Sequence, residues 1–176
     1  LADAVNKNQW DIGNIAFELK RAETIDFTNS YVNINANFLV RKIDNFKTNE
    51  DVSKARVKIA VLERSAYDLW LTENFKDIEL IRASSIQNSH ILFNEGKANV
   101  LAGLKPKLIE ELSKNDQLEI IEDPFTFIKQ SVGIKKGNPH VIEFLNNFIS
   151  KLINDGFIEQ LLKKYKVDKK LSIPKL

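Results

Sequence analysis

The sequence has no cysteine, so disulfides, zinc-thiolate sites and thiol nucleophiles are all excluded. It has no methionine either, not even at position 1, which reads as a processed or truncated product from which any targeting signal would already be gone. Long apolar runs are missing too. The longest are a few residues, far short of the roughly 20 needed to cross a bilayer as a helix. Charge of one sign is not in excess: 26 Lys and Arg against 24 Asp and Glu leave a net charge of +2, which gives no electrostatic case for nucleic acid or an anionic membrane surface. What is present is an ordinary globular composition. With 43% hydrophobic residues in 176, the chain can bury one or two modest cores.

Catalytic and metal signatures are equally scarce. The two histidines, His90 and His140, stand far apart and read as structural or exposed. There is no metal-ligand spacing, nucleophile elbow or glycine-rich phosphate loop, and no pair of carboxylates stands out as an acid/base couple. The reading is therefore not an enzyme, with no catalytic residue, no metal and no cofactor.

Along the chain, Leu1 to Gln9 reads as the end of a helix and Asp11 to Ala16 as a short buried strand. Residues 18 to 26 are charged and helix-compatible, and Asp26 to Ser30 carries turn chemistry. From Val32 to Val40, Val32, Ile34, Ala36, Phe38 and Val40 fall at every second position, the pattern of a half-buried strand. Lys42 to Lys54 is polar and aperiodic, which suggests a connection. Val57 to Val61 is again strand-like, and Ser65 with Asp68 three positions on marks the N-cap of a following helix.

Strand-like Glu79 to Arg82, Asn99 to Ala102 and Leu118 to Ile121 then alternate with helix-like Ser85 to Asn94 and Pro106 to Leu112. That alternation predicts a parallel α/β layer. Phe125 to Lys135 looks like a long strand closed by a turn over Lys136 to Pro139. Val141, Ile142, Leu145, Phe148, Ile149, Leu152 and Ile153 sit at helical spacing, Asn154-Asp-Gly156 stops that helix, and Phe157 to Leu162 begins another. The Lys-rich tail from Lys163 reads as a solvated end.

The string WDIGNIAFELKRAETIDFTNSYVNINANFLVRK, from Trp10 to Lys42, resembles the signature of the bacterial extracellular solute-binding proteins of family 3. In that family a strand is followed by an arginine in an "ERA"-like pattern, a "DFS" or "DFT" turn, and a strand ending in "LVRK". VKIAVLERSAYDLWL, FNEGKANVLAG and FIKQSVGIKKGNPHVIEFLNNFISKLINDGFIEQLLKKY are similar to later segments of the same family, in collinear order over nearly the whole chain. The resemblance implies an α/β fold of the periplasmic binding protein type II class. Its two lobes are joined by two crossover strands, and the N-terminal part of lobe one is missing here. Residues 1–40 and 124–176 would form the discontinuous lobe one and residues 41–123 lobe two, with Val32 to Val40 and Phe125 to Ile134 as the crossovers.

The resemblance also implies the substrate-binding component of an ABC importer, lying in the periplasm or on the extracellular face of a bacterial membrane. It would work as a monomer that captures an amino acid or related carboxylate between the lobes and docks on a permease. A ligand-sensing domain of a membrane receptor, or a cyclohexadienyl dehydratase-like enzyme on the same fold, are the alternatives.

Arg21 matches the family's carboxylate-binding arginine, whose planar fork fits a carboxylate bidentately. A surface arginine paired with Glu18 or Glu23 is the competing reading. Asn14, Ile15 and Ala16 stand at a strand's carboxyl end, where open α/β folds place ligands, although strand packing would explain them equally. Ser65 and Ala66 begin a helix, where unpaired N–H groups and the dipole favour an anion; an N-cap serine needs only local chemistry. Gln130 could offer an amide from the second crossover. Phe17 and Tyr67 could stack on a ligand or pack in a core. The family's amino-group aspartate has no evident counterpart: Asn99 and Gly103-Leu104 stand in that neighbourhood, leaving Glu18, Glu63 or a residue in the missing part as candidate acids.

Overall fold

The computed structural model describes residues 2–7 and 9–174. Leu1 and Asn8 of the expected opening helix, and Lys175 and Leu176 of the expected tail, lie outside the described residues. A 3-10 helix over Ala2–Lys7 leads to β1 (Ile12–Ala16), a 3-10 turn over Arg21–Glu23, β2 (Ile25–Phe27) and β3 (Val32–Arg41). After a 3-10 turn at Lys42–Asp44 come α1 (Asn49–Lys54), β4 (Lys58–Leu62), α2 (Ala66–Asn74) and β5 (Glu79–Ala83). Next are α3 (Ile86–Asn94), β6 (Val100–Leu104), α4 (Lys105–Leu112) and β7 (Leu118–Ile120). The chain closes with β8 (Thr126–Lys135), α5 (Pro139–Asn154), α6 (Phe157–Lys164) and β9 (Leu171–Ser172).

The chain divides into two units, one of Leu1–Ile34 with Ile128–Leu176 and one of Asn35–Phe127. It passes from the first to the second inside β3 and returns inside β8, so two continuous strands carry both crossings.

In the second unit the strands lie in the order β7, β3, β6, β4, β5. β4 runs parallel to β5 and β6, as the strand-helix alternation predicts, whereas β3 is antiparallel to both its neighbours. Leu39, Ala60, Phe93, Leu101, Leu108 and Leu118 form the core. Helix starts follow local chemistry: the Ser65 and Ser85 hydroxyls accept from the backbone N–H groups of Asp68 and Asn88, each at 3.0 Å.

In the first unit β1 pairs antiparallel with β8, setting Ala16 opposite Gln130 and Asn14 opposite Val132, and β2 pairs with β8 through Phe27 and Gly133. Val5, Ile15 and Ile25 pack together with Trp10 and Phe27. α5 and α6 meet at Gly156, whose φ of 72° is a left-handed conformation that glycine adopts without a Cβ clash. Ile158 and Leu162 of α6 pack on Val32.

Five local expectations are corrected. β1 is only half-buried, with Ile12 58% exposed and Ile15 in the core. Residues 18 to 26 form one 3-10 turn and then β2 rather than a helix. So short a charged stretch has little helical stability of its own, and Ile25 is held extended by its core partners. β3 does not alternate in burial over residues 36–40, all of which are buried, because it lies between β6 and β7 with both faces covered. Lys42 to Lys54 contains α1, started by a reciprocal capping box between Thr48 and Asp51. In the tail, Leu171 and Ser172 pair with Ile34 and Asn33, because Val167, Leu171 and Ile173 carry enough apolar surface to join the Val32 cluster.

Candidate ligand-binding site

At the carboxyl end of β1 the pleat sends Ile15 into the core and Asn14 and Ala16 to the other face. The strand ladder runs one residue further, the Phe17 N–H donating to the Lys129 carbonyl at 2.9 Å. The chain then turns sharply. The buried Glu18 carboxylate accepts the Arg21 backbone N–H at 3.2 Å, and the Ala22 N–H donates to the Glu18 carbonyl at 3.0 Å. Within this turn the Arg21 side chain folds back, and its Nη1 donates to the Ala16 carbonyl at 3.0 Å. The guanidinium is thus anchored over the end of β1. Glu18, a candidate acid for a ligand amine in the sequence, is buried and meets Arg21 through the peptide N–H, which engages one of its two carboxylate oxygens.

Tyr31, which sequence reasoning passes over, joins the same place from the far side of β8. Its N–H donates to the Gln130 carbonyl at 2.9 Å, and its hydroxyl donates to Asn14 Oδ1 at 3.3 Å. Burial pushes the Tyr31 phenol pKa up, so the hydroxyl keeps its proton. Gln130 stands opposite Ala16, and its Oε1 is buried with no hydrogen-bond partner among the described residues. Asn14, Ala16, Arg21 and Gln130 are therefore gathered on one part of the first unit. Phe17 is displaced from them: it lies edge-on to Phe27 at 5.3 Å and lines an open groove of about 550 Å³ with Thr28, Asn33, Lys129 and Ser131.

Ser65 and Ala66 belong to the second unit. The Ser65 hydroxyl is engaged in capping α2, while Asp68 accepts the Arg64 N–H at 2.8 Å and Arg82 Nε at 3.0 Å. Ala66 and Tyr67 are buried, and burial pushes the Tyr67 phenol up to about 12, which marks it as a core residue. Glu63 is exposed. The departures at Asn99 and Gly103 have packing reasons. Asn99 Oδ1 accepts the Lys58 N–H at 3.1 Å, and a Cβ at Gly103 would lie 2.9 Å from Leu108 Cδ2, so no larger residue fits there unchanged. His90 bonds Glu111 at 3.0 Å and His140 is exposed. Among the described residues no group of three or more His, Asp and Glu side chains is gathered as a metal site requires. No helix among them is long and apolar enough to cross a membrane.

The ABC transporter glutamine-binding protein GlnH of Bacillus subtilis is 20% identical over 146 residues, which cover 83% of this chain and 53% of that protein. The L-cystine-binding protein TcyJ of Escherichia coli is 20% identical over 157 residues, 88% of this chain and 58% of that protein. The chain thus spans little more than half the length of these curated relatives. The crystal structure of the cysteine-binding protein from Campylobacter jejuni superposes with a TM-score of 0.76 at 19% identity, covering 93% of this chain and 66% of that one. That likeness shows the fold, the type II periplasmic binding protein class. The family model of bacterial extracellular solute-binding proteins, family 3, matches residues 1–168. This chain belongs to that family.

Proposed function

We propose that this chain captures a small carboxylate-bearing solute, an amino acid or a close relative, outside the cytoplasm for delivery to an ABC permease, and that it binds and releases its ligand unchanged. In this reading the two units are the two lobes, their boundaries falling inside β3 and β8, several residues from those expected for lobes of 1–40 with 124–176 and of 41–123. The supporting observation is Arg21. One of its N–H groups donates to the Ala16 carbonyl, which holds the guanidinium at the carboxyl end of β1, the strand that carries Asn14. A guanidinium fixed in advance loses less entropy on gripping a carboxylate than a free surface arginine would. Kinship with proteins named for binding glutamine and cystine supports the solute class.

Titration calorimetry of the full gene product with the twenty standard amino acids and L-cystine tests the proposal. Saturable binding is expected, weakened on the order of tenfold to a hundredfold by Arg21→Ala, the scale of one lost hydrogen bond to a charged group. Binding that Arg21→Ala leaves intact would overturn the assignment, as would turnover of the bound solute.

A further inference from the structure

We propose that Tyr31 is a positioning residue that fixes the Asn14 side chain so that its amide NH2 faces the ligand. The site is thereby biased toward solutes presenting a hydrogen-bond acceptor there, a carboxylate or carboxamide oxygen, rather than an ammonium. The inference rests on the preceding reading, that the end of β1 is where the solute sits.

The geometry begins with two strand ladders. β1 and Tyr31 both bond to β8, one on each edge: Ala16 pairs with Gln130, and the Tyr31 N–H donates to the Gln130 carbonyl. The Tyr31 ring therefore starts on the opposite side of β8 from Asn14, and its hydroxyl meets Asn14 Oδ1 only by reaching across that strand. Asn14 is otherwise exposed and on the face away from the Ile15 core, so packing does little to fix its amide.

An asparagine side chain has one carbonyl acceptor and an NH2 donor group. With Oδ1 turned to the hydroxyl, the NH2 is turned away from Tyr31. A tyrosine phenol is protonated at neutral pH and able to donate, and partial burial raises its pKa further. Arg21, anchored on Ala16 two residues from Asn14, carries only N–H donors on its guanidinium and no accepting atom. Glu18 turns one carboxylate oxygen to the Arg21 backbone N–H. The Asn14 amide thus offers hydrogen to a ligand oxygen. The reversed amide, with Nδ2 donating to the hydroxyl, would present Oδ1 outward and favour a ligand N–H.

Two measurements test this. In the ligand-free protein, the Asn14 side-chain NH2 is expected to exchange with water freely and to keep doing so in Tyr31→Phe. An Nδ2 hydrogen protected in the wild type and released by Tyr31→Phe would mean the amide is reversed and would overturn the proposal whether or not any amino acid binds. With the amino acid found by calorimetry, Asn14→Asp and Tyr31→Phe are each expected to lose affinity on the order of tenfold. Tyr31→Phe should cost nothing further in an Asn14→Ala background, since it acts through Asn14. Tighter or unchanged binding by Asn14→Asp, or a Tyr31→Phe loss that persists in the Asn14→Ala background, would refute the positioning role. Arg21→Ala reports separately on the site itself.

Discussion

Glu111 gives the most quantitative prediction. The residue is 7% exposed, and its carboxylate ties α3 to α4 by accepting from His90 Nδ1 at 3.0 Å, Asn94 Nδ2 at 2.7 Å and Lys114 Nζ at 3.0 Å. Burial pushes its pKa up, but the three donors outweigh burial and hold the group at about 2 instead of the ordinary 4.5. A carboxyl whose folded pKa is depressed contributes stability above its unfolded pKa and loses it as pH falls through the folded value. The window here runs from 4.5 down to about 2, and the interval corresponds to about 3 kcal/mol. Urea unfolding at a series of pH values between 7 and 2 should therefore show wild type losing about 3 kcal/mol more than Glu111→Gln across that window, with most of the difference appearing below 4.5. Parallel pH profiles for the two proteins would show that the buried carboxylate is not held charged by these donors.

Two further substitutions probe packing. Gly133→Ala would place a Cβ 2.8 Å from Ile25 Cγ2 and 3.0 Å from Ile15 Cγ2, both on stiff branched side chains. A destabilisation of about 1–3 kcal/mol is expected by chemical denaturation, and an unchanged midpoint would contradict the close packing of β1 and β2 on β8. The Arg41 guanidinium donates to the carbonyls of Phe93, Ala98 and Asn99 and lies over the Phe93 ring at 4.4 Å. Arg41→Lys keeps the charge but not the planar fork, so it should cost about 1–2 kcal/mol; a loss below half a kcal/mol would mean the charge alone suffices.

The elements legible in the sequence are those fixed by local chemistry. Ser65 with Asp68 and Ser85 with Asn88 announce α2 and α3, Asn154-Asp-Gly156 separates α5 from α6, and strand-helix alternation gives the parallel pairs of β4. The elements missed depend on partners distant in the chain. β2 forms because Ile25 is drawn to Val5 and Ile15, and β9 forms because Leu171 reaches the Val32 cluster. α1 has a single buried residue, Val52, too few for a periodicity signal; its legible mark was the Thr48 and Asp51 capping box. The site divides in the same way. Arg21 and Ala16 lie five residues apart, close enough for a local turn to join them, whereas Tyr31 reaches Asn14 only through the β8 register. Phe17, adjacent to Ala16 in sequence, is carried by the pleat toward a different groove.

The grip of Arg21 on a solute carboxylate is tested most directly by a two-by-two calorimetric comparison: wild type and Arg21→Ala, each titrated with the bound amino acid and with the same amino acid bearing a primary amide in place of its α-carboxylate. If the guanidinium holds that carboxylate, removing either one weakens binding on the order of tenfold or more, and removing both weakens it little further. Independent, multiplying losses would contradict the account, because they would place the carboxylate on other groups.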